Sequence, residues 1–376
     1  MTRPLIAHKP RRCAGKIPAL LCLFLAPQVF SAEAETRAGD EAMLFREIPS
    51  VFGASRHEQE IGDAPSSVSI ITANDIQKYG HRTLADILAS VRGFTVTNDR
   101  NYSFLGTRGF NRPADYNSRI LLLIDGHRIN DNIYDSALIG TEGVIDVDLI
   151  DRIEIIRGPS SSLYGSNAFF GVVSIITRRG GRDLKGVELA GTAGSLATGK
   201  GRASYGGKLE NGLEMLLSTS AYRSQGYGSL YYPEFNGVAR NADADRSDSF
   251  LGKFRFENFT LNTAFSTRTK NIPTASFGTV FGDPSNRTTD ERKYIDMQYR
   301  SDLSDISEIT TRLSYDSYGY NGDYRYTAPD RVNKDSAQGN WWGAEVLYSR
   351  KIPAGHKLTL GAEYQNNLRQ DQSTRD

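Results

Sequence analysis

From residue 187 to the end of the chain, apolar and polar residues change places at almost every step. Phe250, Gly252, Phe254 and Phe256 alternate with Leu251, Lys253 and Arg255. Past Glu257-Asn258, Phe259, Leu261, Thr263 and Phe265 alternate with Thr260, Asn262, Ala264 and Ser266. A period of two belongs to strands, so this is a hairpin with one apolar face on each arm. Ile309, Thr311, Leu313 and Tyr315 repeat the pattern, as do Leu358, Leu360, Ala362 and Tyr364. Short turns near 210–212, 257–258, 302–307 and 351–356 separate long connections near 224–247, 270–290 and 321–339. Short turns on one rim and long loops on the other are the rule for transmembrane β-barrels. A soluble β-sandwich would account for the alternation but not for the sorting of the loops.

The stretch from Pro65 to Arg179 has a different rhythm and predicts a small α+β domain. Ser67-Val68-Ser69-Ile70-Ile71 reads as a strand, and Thr72 caps a short helix after it. Leu84, Ile87, Leu88 and Val91 share one face of a second helix, which starts after Thr83 and ends at Gly93. Residues 120–124 form a fully buried strand stopped by Asp125-Gly126, and Ile153–Arg157 and Val172–Ile176 add two more. Residues 35–60 are polar except for one apolar island, Ile48, Pro49, Ser50, Val51, Phe52, with Gly53 and Ala54 after it, and read as an extended leader.

The first 34 residues carry an export address. Arg3, Lys9, Arg11, Arg12 and Lys16 precede a largely apolar run from 17 to 30, and small residues permit cleavage after Ser31 or after Ala34. Both cysteines, Cys13 and Cys22, fall inside this segment, so a processed chain has neither disulfides nor thiol metal sites. Lys plus Arg (45) nearly cancels Asp plus Glu (44), which removes the electrostatic case for nucleic acid. No run reaches the 18 or so apolar residues of a membrane-spanning helix, so any membrane crossing is by strands. His57, His81 and His127 are scattered at spacings that hold no metal or heme, and no nucleophile has a base partner in view.

Five pieces stand in one order: Arg108-Gly109-Phe110, Leu123-Ile124-Asp125-Gly126, Arg152-Ile153-Glu154-Ile155-Ile156-Arg157-Gly158-Pro159, Leu163-Tyr164-Gly165, and Gly171-Val172-Val173-Ser174-Ile175-Ile176-Thr177. Together they resemble the plug domain of TonB-dependent outer-membrane receptors. Gly109, Asp125, Gly126, Gly158, Pro159, Tyr164 and Gly165 are read as plug turns, where positive φ or a sharp reversal is needed.

The resemblance implies a signal peptide (1–34), a leader with the TonB-coupling segment (35–60), a plug (61–180) and part of a barrel (187–376). About nine strands are expected, where the family's barrel has 22, so the fold is an α+β plug followed by an incomplete antiparallel barrel. An open sheet of that size would leave unpaired strand edges in lipid. The resemblance also implies outer-membrane residence in a Gram-negative bacterium and import of a scarce substrate, most often an iron–siderophore complex, with cobalamin, another metal chelate or a sugar as alternatives. A truncated receptor fragment without function, and a passive porin or adhesin, are the rival readings. No cofactor or catalytic residue is implied.

Partners implied are the TonB C-terminal domain, by strand addition to residues 48–54, an inner-membrane energising complex behind it, membrane lipid and the small-molecule ligand. Arg152, Glu154 and Arg157 are expected to pair with acidic residues of the barrel wall. Residues 98–119 include a loop on the outer face, with Arg100, Tyr102, Phe104, Arg108, Arg112, Tyr116 and Arg119 as ligand-contact candidates. Guanidinium groups among aromatic faces suit an anionic, partly aromatic chelate.

Overall fold

The computed structural model describes residues 50–51, 59–60, 67–110, 112, 114–327, 330–353 and 356–376. The export segment lies outside them, as do Ile48, Pro49, Phe52, Gly53 and Ala54 of the proposed coupling island. The other two island residues, Ser50–Val51, form β1, which pairs antiparallel with β2 (Gln59–Glu60).

The α+β domain is built on a five-stranded sheet. Its strands are β3 (Ser67–Thr72), β6 (Ile120–Ile124), β7 (His127–Arg128), β8 (Ile150–Arg157) and β9 (Gly171–Thr177), in the order β3-β8-β9-β6-β7. Only β6 and β9 run parallel. One face packs Leu122, Ile124, Ile153, Ile155 and Ile175 against the helices; the other packs Leu121, Leu123, Ile156 and Val172 against Tyr164. Burial on both faces is why β6 reads as an unbroken apolar run, and β9 as one broken only by Ser174, rather than as alternation. Two helices, α1 (Ala73–Tyr79) and α2 (Leu84–Ala89), begin with capping boxes: Thr72 with Asp75 and Thr83 with Asp86. The second ends at Ala89, one turn short of Gly93. There the chain tightens and Phe94 N donates to Val91 O, and Val91 stays buried. A separate hairpin of β4 (Phe94–Asn98) and β5 (Ser103–Thr107) leads to the polar loop.

The rest is a nine-stranded antiparallel sheet in sequence order: β10 (Gly186–Gly194), β11 (Thr198–Lys208), β12 (Glu214–Ser224), β15 (Asp245–Phe256), β16 (Phe259–Asn271), β17 (Arg287–Ser304), β18 (Ser307–Thr327), β19 (Asp330–Ile352) and β20 (His356–Arg375). A small hairpin, β13 (Ser229–Tyr232) with β14 (Gly237–Arg240), caps the β12–β15 connection. Strand register sorts the two faces. Phe254, Leu261, Met297, Leu313, Ala344 and Tyr364 pair neighbour to neighbour as an outward apolar row. Ser218, Leu251, Ala264, Tyr294, Asp316 and Trp341 pair in the same way as an inward row, and every one is buried. Leu216, Leu251, Ala264 and Tyr294 belong to the same core as the α+β domain, so that domain is seated against the inner wall.

One expected loop is not a loop. Residues 321–327 and 330–339 continue the ladder, with β18 running 21 residues and β19 running 23, and Thr327 pairs with Asp330. A span of the membrane takes about ten residues, so this hairpin rises well past it. Two things hold it up: the cross-strand bonds satisfy the backbone, and Tyr318 packs against Tyr134 of the seated domain.

Candidate functional site

The inner wall and the seated domain meet through buried polar contacts at several heights. Asp125 and Gly126, at φ 48° and 82°, turn β6 into β7. The Asp125 carboxylate accepts from Thr177 N (3.0 Å), Thr177 Oγ1 (2.6 Å) and Lys253 Nζ (2.9 Å). Arg312 donates to the Asp125 carbonyl at 3.0 Å, and its Nη2 would lie 2.9 Å from any Cβ added at Gly126. The positive φ favours glycine there, and any added side chain would also have to push the Arg312 guanidinium aside.

Asp146 caps a 3₁₀ turn (Val147–Leu149) through Asp148 N and also receives Lys200 Nζ at 2.5 Å and Ser220 Oγ at 2.7 Å. Asp148 shares the same lysine at 3.0 Å. Between these levels, His127 Nε2 lies 2.9 Å from Asp316 Oδ1 and Nδ1 lies 3.8 Å from Asp296, with Arg292 on the same Asp316 oxygen at 2.6 Å. Arg292 also donates to the Ile129 carbonyl. Higher still, Arg268 donates to Asn101 Oδ1 and O, and Tyr102 donates to Asp290 at 2.9 Å. Breaking one side of such a buried charged pair costs about 3–5 kcal/mol, because the other charge is left without a partner.

The three residues expected to reach the wall behave differently. Arg152 pairs with Asp151 at 3.3 Å and Glu154 at 3.1 Å, both on its own strand. Arg157 donates to the Arg92 carbonyl and to Ser67 Oγ. Positions two apart on a strand share a face, so Arg152 meets Glu154 before it can meet the wall. The wall contacts come instead from acids of the seated domain, chiefly Asp125, Asp146 and Asp148, facing lysines of the sheet.

The ligand-contact candidates separate into three places. Tyr102 and Tyr116 line a cavity of about 360 Å³ between the polar loop and the inner face of the β18–β19 hairpin, with Phe104 packed behind Tyr116. Tyr134, Tyr318, Tyr320 and Tyr324 complete a ring of tyrosines around it. Tyr102 stands edge-on to Tyr116 at 5.6 Å, and Tyr134 edge-on to Tyr318 at 6.3 Å. Burial, with Asp290 beside it, pushes the Tyr102 phenol well above its ordinary range; burial and then Asp99 raise Tyr116. Both remain hydroxyl donors at neutral pH.

Arg100 turns away to Asp243 at 3.9 Å and stacks on Tyr227. Arg112 and Arg119 line a second cavity of about 210 Å³ with no barrel residue in it, where Arg119 sits over Phe170 and pairs with Asp115. Arg108 is exposed on the same loop. Gly109, Gly158 and Gly165 take φ of 84°, 124° and 70°; Pro159 follows β8, and Tyr164 closes the short helix Ser161–Tyr164 with its ring buried. Among the described residues, no group of three or more His, Cys, Asp or Glu is placed to hold a metal.

A domain of this kind lodged against the inner face of an antiparallel, outwardly apolar sheet is the architecture of a plugged outer-membrane barrel. Residues 60–172 match the family model described as TonB-dependent Receptor Plug Domain. The chain thus carries a TonB-dependent receptor plug domain, and the strands after it share the fold of solved TonB-dependent receptors. Similar solved structures include the ferric yersiniabactin uptake receptor FyuA from Yersinia pestis (16% identity, TM-score 0.61, covering 80% of this chain and 48% of that one). The pyoverdine receptor FpvA from Pseudomonas aeruginosa PAO1, bound to pyoverdine, matches at 15% identity and TM-score 0.64, over 84% of this chain and 48% of that one. The ferric citrate transporter FecA, unliganded, matches at 20% identity and TM-score 0.63, over 82% and 48%. These likenesses are of fold, and the chain spans about half the length of the structures it matches.

Proposed function

We propose that this chain is the plug and the first barrel strands of an outer-membrane importer that takes up a metal–siderophore chelate and is energised through TonB. The observation that supports this most is the anchoring of the plug to the wall by buried polar contacts at Asp125, Asp146 and His127. A plug held in this way does not leave by thermal motion, since several contacts costing about 3–5 kcal/mol each must yield together. An outside source of work is then part of the mechanism, and the family's partner for it is the TonB C-terminal domain. Residence in the outer membrane of a Gram-negative bacterium follows from the same reading.

Coupling is assigned to residues 48–54, adding a strand to the partner's sheet through main-chain bonds. Peptides spanning 44–58 are titrated against the TonB C-terminal domain. Val51→Pro and Phe52→Pro, each removing an amide donor, abolish binding, while Phe52→Leu keeps it. Proline variants that bind as well as the native peptide place the coupling segment elsewhere. For the function as a whole, cells expressing the receptor accumulate a radiolabelled ferric chelate only when TonB is present. Equal uptake without TonB removes the proposal.

A further inference from the structure

We propose, resting on the reading of the chain as an outer-membrane barrel, that Arg246 and Arg287 on the outward face of the sheet bind the phosphate groups of a phosphorylated glycolipid in the outer leaflet. Along β15, Phe256, Phe254 and Phe250 face outward, and the same parity brings Asp248 and Arg246 to that face. Along β17, Tyr299, Met297, Ile295 and Lys293 do so, followed by Glu291, Thr289 and Arg287. Lys293 Nζ lies 5.3 Å from the Phe265 ring centroid and pairs with Glu291 at 3.0 Å. Its stem thus covers the aromatic while its charge is carried toward the loop end of the strand, which marks the upper edge of the apolar band. From Phe256 to Arg246 is about 34 Å of strand, or about 26 Å of height at a tilt of about 40°, against an apolar band about 25 Å tall. Arg246 and Arg287 therefore stand at the level of the lipid headgroups. The strands that carry the site, β12 and β15 to β18, each have both neighbours in the sheet, so this face is complete where the site lies.

A groove of about 710 Å³ crosses this level, and Arg223, Arg246, Thr269, Arg287, Thr289 and Asn321 line it. Arg223 and Arg246 stand directly opposite each other on β12 and β15, where like charges repel. Asp248 answers Arg223, whose Nη2 reaches its two oxygens at 2.8 and 2.9 Å. Arg246 has Arg223 across one ladder and Thr269 across the other, so its charge faces a second cation rather than an acid. Arg287 holds Asp323 along the Nε and Nη2 edge of its guanidinium, and Nη1 lies on the other edge. The acids in the lining are both engaged: Asp323 by Arg287, and Asp245 by Arg268 at 3.1 Å and Thr141 at 2.7 Å. A phosphate takes guanidinium donors through charged hydrogen bonds, and one set beside Arg246 turns the repulsion from Arg223 into a shared attraction. The Thr269 and Thr289 hydroxyls, 3.1 Å apart, and the Asn321 amide offer the polar contacts of a sugar headgroup. Position decides the occupant. A lipid lays its acyl chains along Phe250 and Phe265 and brings its phosphates to the arginines above them, whereas a soluble anion leaves the apolar row uncovered.

The test uses the protein purified from outer membranes in detergent, with native mass spectrometry in the presence of diphosphoryl lipid A, its dephosphorylated form, or the diphosphoryl lipid with excess inorganic phosphate. The diphosphoryl lipid is retained over the dephosphorylated form by about tenfold or more, the scale of two basic side chains acting on anionic lipid. Inorganic phosphate does not displace it. Arg246→Gln with Arg287→Gln removes the preference, and Arg246→Gln alone, which breaks no cross-strand pair with an acid, lowers it by about fivefold. Arg240→Gln, on the β13–β14 hairpin, keeps it. Arg246 and Arg287 are both exposed, so the variants migrate like the native protein on unheated gels, which separates loss of lipid from loss of fold. Equal retention of the two lipids, or a preference that survives both substitutions, overturns the site. Displacement by inorganic phosphate assigns the arginines to a free anion and overturns the lipid. Outer-membrane residence stands in each of those cases, since the protein was recovered from that fraction; its absence from the fraction overturns the residence on which the site rests.

Discussion

Asp125 illustrates how much one side chain carries. In sequence it is the first half of a turn; in the fold it joins the turn, the end of β9 and the barrel wall through Lys253, both side chains being largely shielded at 11% and 12% exposure. Asp125→Ala leaves Lys253 buried without its partner and is expected to cost about 3–5 kcal/mol. Adding Lys253→Met should recover much of the loss, because no charge is then stranded; chemical denaturation of the detergent-folded protein measures both. Glu142 offers a pH test. Burial raises its carboxyl above the ordinary 4.5, opposed by Arg268 and by the Gly140 amide. The folded state thus holds its proton longer than the unfolded state, and stability falls as pH rises from about 4.5 toward the folded value. Glu142→Gln should match the native protein at pH 4 and exceed it at pH 8, read from paired melting curves. Equal pH profiles would remove this account of Glu142.

At the scale of elements, the helices and strands follow local rules that leave testable marks. The Thr83 hydroxyl accepts from Asp86 N, so Thr83→Ala should cost about 1 kcal/mol through the loss of one cap. Leu313 sits mid-row on the outward face and is 50% exposed, while its neighbour Arg312 reaches the plug. Leu313→Arg should cost about 2–4 kcal/mol in lipid, seen as lower folding yield into vesicles, whereas the existing Arg312 is tolerated because it faces inward. The β18–β19 hairpin shows where local signals stop. Its polar residues look like a loop, yet pairing from Asn321↔Ser336 to Thr327↔Asp330 keeps it extended, because above the lipid a strand needs only a partner and not an apolar face.

For the whole molecule, the plug is fixed at separate heights by contacts that share no side chain. His127 is linked to Asp125 through Asp296 and Arg312, whereas the Asp125–Lys253 and Asp146–Lys200 pairs have no partner in common. The losses of those two pairs should add. A receptor carrying Asp125→Ala with Asp146→Ala should admit bulky hydrophilic antibiotics that the native outer membrane excludes, detected as a fall in the inhibitory concentration. Unchanged susceptibility would mean that the plug is retained by other contacts.

The strand alternation, the two buried plug strands, the capped helices and the positive-φ glycines were all legible in the sequence, because each depends on residues within a few positions of one another. Alternation even separated Lys253, Asn262, Arg312 and Asp316 as lumen-facing before any partner was known. Which plug residue meets them was not legible. Asp125 reaches Lys253 across 128 positions, and His127 reaches Asp316 across 189. Those meetings depend on strand register and on how the plug is seated, and a shift of one residue in register would turn every wall side chain outward. The ligand candidates divided for the same reason. The loop's composition put arginines and aromatics together, and only the packing of Tyr102 and Tyr116 against the β18–β19 hairpin gathered the tyrosines into one cavity and left the arginines outside it.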